Sequence, residues 1–288
     1  MPKKNLHLAQ VLEINLAMLF MSTSGVLGRY VQLPPVVTIC VRALLASILL
    51  YGYCRYKNLS LRIAPKDRML LGVSGVFFCI HWVTYFYALQ RSNVAIGMLS
   101  LFTYPVITAF LEPFVLKTKF QKMHILLAFL VLLGVFFLAP DFSIQNSDTV
   151  AICFGVFSGV IYALRNLILK KKGGTYNGSS LMFYQAAIAG ILLIPVLFFV
   201  EFNVVLGQWK PLLFLALFTT AIGHTLFLQS FKNFSISSAS ILSSIQPIYG
   251  IILGILFLDE IPSWRTLVGG TLILSSVVIE SVRSFQKK

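Results

Sequence analysis

Acidic residues are scarce in this chain. Asp and Glu number only 9 among 288 residues, against 23 Lys and Arg, and charged side chains make up 11% of the whole. A soluble domain carries about 25% charged residues, because its surface must face water. With 58% hydrophobic residues and a mean hydropathy of +0.87, the chain has too little polar surface to cover a globule of its size. A water-soluble fold is excluded. The four cysteines, Cys40, Cys54, Cys79 and Cys153, sit in or beside apolar runs without paired spacing. They read as free thiols, not as a disulfide framework or a metal site. No glycine-rich phosphate loop and no paired metal-ligand motif is present, which excludes an ATP-driven pump. No nucleophile and base stand at a catalytic spacing. No catalytic residue, cofactor or metal is therefore expected.

The excess of base, +14 formally, would suggest nucleic acid as a partner in a soluble protein. Here the basic residues lie in short breaks between apolar runs, the pattern of membrane loops. The partner implied is a lipid bilayer, and nucleic acid is not. A hydrocarbon core about 30 Å thick needs about 20 residues of helix. The chain divides into runs of that kind at 9–30, 35–54, 69–90, 94–116, 123–139, 149–169, 179–200, 211–231, 236–258 and 264–282. The fold class predicted is all-α, a polytopic transmembrane bundle of ten helices. The run after Met1-Pro2-Lys3-Lys4 continues to about Tyr30 without a small-x-small cleavage site, so it is read as a retained first span.

Orientation follows from Lys and Arg, which favour the cytoplasmic side. With the N-terminus inside, seventeen of the 23 basic residues fall in inside segments and four, Arg29, Arg91, Lys210 and Arg265, fall outside. Arg42 and Arg165 remain within the membrane region. A multi-pass protein of the cytoplasmic (inner) membrane, with both termini cytoplasmic, is expected.

The chain also repeats itself. Arg42-Ala-Leu-Leu-Ala-Ser-Ile-Leu-Leu50 aligns with Gln185-Ala-Ala-Ile-Ala-Gly-Ile-Leu-Leu193, five residues of nine being identical. Nearly the same offset pairs Pro105 with Pro247, and a somewhat shorter one, 136, brings Ser22 and Arg29 opposite Ser158 and Arg165. Two five-helix units, 9–139 and 149–282, are expected. An odd number of spans per unit inverts the second copy, and inverted repeats are an architecture of alternating-access carriers.

The stretch Ser237-Ser-Ala-Ser-Ile-Leu-Ser-Ser-Ile-Gln-Pro247, running on to Gly254 and Leu258-Asp-Glu260, resembles a helix of the drug/metabolite transporter superfamily, in its EamA-type branch. Ser92-Asn-Val-Ala-Ile-Gly97 through Tyr104-Pro105 is its match in the first half, and Arg42 followed by Ala46 is also similar to the family pattern. Two departures stand out. The acidic residue often found before the second proline is Gln246 here, with Tyr104 in the first half. Lys117-Thr118-Lys119 replaces the Glu expected after the fourth span. The resemblance implies a transporter with a central cavity lined by spans one to four and six to nine, spans five and ten lying peripherally.

Polar groups in hydrocarbon are costly and tend to face protein or a water-filled path. Arg42, in the outer half of the second span, is a candidate for a substrate carboxylate or phosphate; snorkelling to headgroups is the alternative. His81 and His224 fall near the middle of the third and eighth spans, as substrate or proton groups or as packing residues. Trp82 and Tyr85 beside His81 are candidate cavity walls. Tyr104 adjoins a proline that frees backbone carbonyls at mid-depth. Gln246 holds the position before the equivalent proline. Glu13 and Glu112 are candidates for carrying a coupling proton, against hydration or ordinary ion pairing. Arg29 and Arg165 are candidate gate latches, against interface anchoring. Small residues of the ninth span (Ser237, Ser240, Ser244, Gly250, Gly254) suit close packing, and Gly269-Gly270 is a candidate packing or homo-oligomer contact. The function expected is that of a secondary transporter or facilitator of small polar metabolites such as amino acids, in the export direction by analogy with that family. A non-catalytic membrane subunit and an integral-membrane lipid or envelope enzyme are the competing classes.

Overall fold

The computed structural model describes residues 3–117, 122–139, 143–170, 175–230, 232–234 and 242–286. Among them the chain is helical with no strand. The helices are α1 (Lys3–Tyr30), α2 (Pro35–Tyr56), α3 (Pro65–Arg91), α4 (Val94–Leu101), α5 (Tyr104–Leu116), α6 (Met123–Leu138), α7 (Ser147–Lys170), α8 (Gly178–Leu193), α9 (Phe202–Gly207), α10 (Trp209–Phe214), α11 (Thr225–Ser230), α12 (Ile245–Leu258) and α13 (Trp264–Gln286). Seven helical segments are long and apolar enough to cross a membrane, and three shorter apolar helices lie at Ile125–Leu138, Ile245–Leu258 and Trp264–Ile279. Together they match the ten expected runs. The start of the ninth run, with Ser237 and Ser240, lies outside the described residues.

Local chemistry sets the breaks. Pro35 and Pro65 open α2 and α3, where a missing N–H costs nothing because no intrahelical partner exists. Asn93 caps α4 by accepting from the Ile96 N–H at 2.9 Å, and Asn177 does the same for α8 through Ser179 at 2.9 Å. The fourth run is not one helix. Pro105 has no N–H to give the Leu101 carbonyl, and the chain turns at Phe102-Thr103 between α4 and α5. The seventh run differs in a similar way: α8 stops at Leu193, and the segment containing Pro195 tightens to a 3-10 turn over Ile194–Phe199. In the eighth run, α10 and α11 are joined by a π-helical stretch, Leu215–His224.

Large apolar side chains such as Phe114, Leu132, Phe199 and Phe257 point outward, while Arg42, Arg165, His81 and His224 are buried. This distribution is inverted relative to a soluble protein, as a lipid solvent requires. The protein is a polytopic helical membrane bundle.

Helix packing has twofold regularity. α2 packs on α8 and α6 on α13, each pairing equivalent elements of the two halves, and α4 of the fourth span meets α12 of the ninth. The contact of α3 with α7 is mirrored by that of the π-helical stretch with α1. Likewise α4 and α5 against α7 are mirrored by α12 against α1. The ends match too. α5 and α12 are capped by the left-handed residues Lys117 (φ 56°) and Asp259 (φ 55°), each twelve positions after its proline (105 to 117, 247 to 259).

α6 and α13 form a pair at the side of the bundle, joined by close backbone approach. A Cβ on Gly269 would come within 2.6 Å of the Gly134 carbonyl oxygen. Gly270 faces Leu99 inside the same chain. The Gly269-Gly270 pair thus serves close packing within the chain. Gly269→Leu should force α13 off α6 at a cost of about 1–3 kcal/mol, seen as a fall of several degrees in the thermal midpoint of detergent-solubilised protein. Gly52→Leu, which meets nothing within 4 Å, should leave it unchanged.

Candidate functional site

Seven of the residues singled out in the sequence, Arg42, His81, Trp82, Tyr85, Tyr104, His224 and Gln246, line one central cavity, with Tyr162, Phe102 and Ser24 among the others. They come from α2, α3, α5, α12 and the π-helical stretch. The cavity measures about 20 Å³, room for about one water. A larger apolar crevice of about 450 Å³ lies at the periphery, between α2 and the segment Leu197–Leu213. Its lining is apolar except for the Trp209 indole, whereas the histidines, Arg42 and Gln246 converge on the small central cavity.

Arg42 is 1% exposed. Its Nε donates to Thr220 Oγ1 at 2.7 Å, and the guanidinium carbon lies 4.2 Å from the Trp82 ring centre and 5.4 Å from that of Phe86. Both terminal nitrogens, Nη1 and Nη2, are buried without a hydrogen-bond partner. Buried polar groups are almost always paired, and an unpaired guanidinium fork beside a cavity has the geometry to donate two bonds to a planar anion.

Arg165 was expected at a helix end, as a latch. The structure places it elsewhere: α7 runs on to Lys170, and Arg165 is fully buried one layer behind the cavity wall. Its Nε donates to Gln185 Oε1 at 2.8 Å and its Nη1 to Asn166 Oδ1 at 2.8 Å, while Nη2 also donates to Gln185. Its guanidinium carbon stacks 4.3 Å from the Phe78 ring centre. Phe78 and Trp82 are themselves 4.1 Å apart. The order Arg42, Trp82, Phe78, Arg165 makes a layered wall in which aromatic rings separate two cations. Phe78, Tyr162, Gln185 and Thr220 were not singled out in the sequence as parts of a site. Gln185 was visible there as the repeat partner of Arg42, and the adjacent Thr219-Thr220 as hydroxyls within an apolar run.

His81 Nδ1 and Ser158 Oγ are 2.7 Å apart, and Ser158 Oγ also donates to the His81 carbonyl at 2.8 Å. The imidazole stacks on Tyr162, ring centres 4.3 Å apart. His81 is thus pinned between α3 and α7. His224 differs: its ring meets Phe78 and Trp82 edgewise, and its Nδ1 has no partner. Tyr104 Oη and Ser243 Oγ are 2.6 Å apart, tying α5 to the segment before α12.

The other charged candidates lie away from the cavity. Glu112 pairs with Lys170 at 3.7 Å. Glu13 is half-buried on α1 and does not line the cavity. Arg29 lies where α1 and α12 end. Its Nε donates to Glu260 Oε1 at 2.8 Å, while Glu260 Oε2 accepts from the Val94 N–H at 2.7 Å. Nearby, Ser92 Oγ donates to Asp148 Oδ1 at 2.5 Å. At the opposite end the loop before α3 and the first turn of α3 are tied to α8 and the residues just before it. Ser180 Oγ donates to the Ser60 carbonyl at 3.0 Å, Tyr176 Oη donates to Asp67 Oδ2 at 2.7 Å, and Tyr184 Oη bonds the Leu61 carbonyl. Each end is thus crossed by bonds from one half of the chain to the other.

The family described as EamA-like transporter family matches the chain twice, over residues 10–139 and 149–282. An uncharacterized transporter of Archaeoglobus fulgidus is 29% identical over 80% of this chain and 83% of its own length. The pseudopaline exporter CntI of Pseudomonas aeruginosa is 23% identical over 91% of this chain and 93% of its own. A solved protein crystal structure, 15% identical in sequence, superimposes with a TM-score of 0.70 over 97% of this chain and 99% of the other, a likeness of fold.

Removing the acceptor that holds Arg165 leaves a buried cation with most of its bonds unmade. Gln185→Leu should destabilise the protein by more than about 3 kcal/mol, given roughly 1.5–3 kcal/mol for each hydrogen bond to a charged group. Gln185→Glu keeps acceptor oxygens and should retain the folded yield. Thermal unfolding in detergent of the two variants against wild type checks this.

Proposed function

From the premise that this chain belongs to the EamA-like transporter family, and is accordingly a membrane transporter and not an enzyme, we propose that it is a secondary carrier for small carboxylate-bearing metabolites. Amino acids and related organic acids are its substrate class and export its direction. The observation that carries the reading is the unpaired Nη1 and Nη2 fork of Arg42 on the central cavity. A carboxylate meets that fork with two charge-assisted hydrogen bonds. The aromatic faces of Trp82, Tyr85 and Tyr104 suit an apolar side chain on the same molecule. Export follows by analogy with the relative named as an exporter.

The two units, 9–139 and 149–282, work in this reading as inverted halves. The twofold packing regularity supports it. The Lys and Arg asymmetry puts the Arg29 end outside and both termini in the cytoplasm. The Arg29–Glu260 pair then acts as an outer latch, and the Tyr176, Ser180 and Tyr184 bonds act as an inner clasp. Among the described residues no carboxylate lines the cavity, so proton coupling would fall to His224, whose Nδ1 is free, or to Glu13 outside it.

Two measurements test the proposal. Protein reconstituted in liposomes should show saturable flux of phenylacetate or L-phenylalanine, and Arg42→Ala should cut it at least tenfold, roughly 1.4 kcal/mol, without unfolding the protein. Equal flux from wild type and Arg42→Ala would rule the carboxylate reading out. For the latch, Ser24 lines the cavity and can be replaced by cysteine in a background lacking the four native ones. Glu260→Ala should raise its labelling by an impermeant thiol reagent added outside several-fold. A rise only from the cytoplasmic side would reverse the assignment of the two ends.

A further inference from the structure

The carboxylate reading leaves open how a flexible arginine is held as a preformed fork. We infer that Thr220, on the π-helical stretch, is the positioning residue that sets the plane of the Arg42 guanidinium and so confers preference for planar carboxylates. The inference rests on the proposed function above and adds a residue that does not touch the substrate.

Thr220 is fully buried. Its hydroxyl carries one hydrogen, donated to the Leu215 carbonyl at 3.0 Å. That carbonyl is five residues back, the spacing of a π-helix, whose hydrogen bonds reach one residue further than those of an α-helix. With its proton committed there, Thr220 Oγ1 can only accept towards Arg42, and it accepts from Nε at 2.7 Å. The polarity of the contact is therefore fixed. Trp82 supports one face of the guanidinium at 4.2 Å. One edge bonded through Nε and one face stacked define the plane, leaving Nη1 and Nη2 as the only unbonded donors. A second contact steadies the stretch itself: Thr219 Oγ1 and Thr23 Oγ1 are 2.9 Å apart, joining it to α1.

A fork held in advance binds a planar anion without first ordering its own side chain, which is how preorganisation raises affinity. Loss of the Thr220 acceptor frees the guanidinium to rotate about its terminal torsions. The charge remains in the cavity while the bidentate geometry is lost. The effect falls on recognition, in KM and in discrimination of carboxylate from amide, and leaves the maximal rate near that of wild type.

The test uses the full chain in lipid nanodiscs and liposomes, with phenylacetate as probe and phenylacetamide as its uncharged control. Thr220→Val, nearly isosteric, should raise the Kd and KM for phenylacetate about tenfold with kcat within twofold of wild type. The preference over phenylacetamide should shrink by the same factor. Thr220→Ser keeps the hydroxyl and should restore both. If the valine protein fails to fold, Thr220→Ala carries the same expectation. Wild-type affinity and preference in the folded valine or alanine variant would overturn the role of Thr220 while leaving the carboxylate reading intact, as would failure of the serine variant to rescue. Absence of saturable phenylacetate binding by wild type would overturn that reading, and this inference with it.

Discussion

A guanidinium in hydrocarbon must be compensated by what surrounds it, and this requirement organises the centre of the protein. Arg42 and Arg165 are almost wholly buried, and neither has an acidic partner among the described residues. An isolated buried charge costs several kcal/mol even after relaxation. The structure meets that cost with neutral groups: amide oxygens of Gln185 and Asn166 for Arg165, a hydroxyl oxygen of Thr220 for Arg42, and aromatic faces for both. Cation–π contacts of this kind contribute about 2 kcal/mol when desolvated. Arg165 has its Nε and both Nη groups bonded. Arg42 has only Nε bonded, and that difference is what the proposed carboxylate site rests on.

The two arginines are not repeat partners, and this shows how the halves have diverged on a shared frame. The backbone keeps its regularity: proline, helix and left-handed cap recur twelve residues apart in both halves. The side chains do not. Gln185, the counterpart of Arg42, serves Arg165. His224, the counterpart of His81, has a free Nδ1, whereas His81 is bonded to Ser158. Glu260 follows one cap and binds Arg29, while Thr118 stands at the matching place after the other. Symmetric scaffolding with asymmetric chemistry gives one oriented cavity instead of two equivalent half-sites.

Much of this was legible in the sequence because membrane helices penalise polar residues so strongly. A buried His, Arg or Gln in an apolar run needs a reason, and the shared reason for Arg42, His81, His224 and Gln246 is one cavity. Arg165 reads as a latch through its pairing with Arg29 in the repeat, but α7 continues past it for more than a turn. The role of Gln185 was hidden because a neutral amide carries no charge to flag. The π-helical stretch left no signature either, since a register defect depends on backbone hydrogen bonding and not on residue type. Its consequence, the Thr220 hydroxyl facing Arg42, follows only from the fold.

In the proposed carrier the two ends are held by interactions of different kinds but comparable strength. The Arg29–Glu260 pair is partly exposed, with side-chain exposures of 32% and 18%, and ion pairs open to solvent contribute about 0–1 kcal/mol. The Val94 N–H adds a charge-assisted bond to the same carboxylate. The opposite end relies on hydroxyl bonds to carbonyls, about 1 kcal/mol each, and on Tyr176 with Asp67. Neither end is locked by more than a few kcal/mol. A ligand shifts a conformational equilibrium only by its difference in affinity for the two states. A carboxylate completing the Arg42 fork offers a difference of that same order, provided the fork is fully engaged only when the cavity is closed. Trp82, which with Phe78 holds the two cations apart, also lines the cavity, so in this reading closing it around a ligand and removing water from the fork are one event.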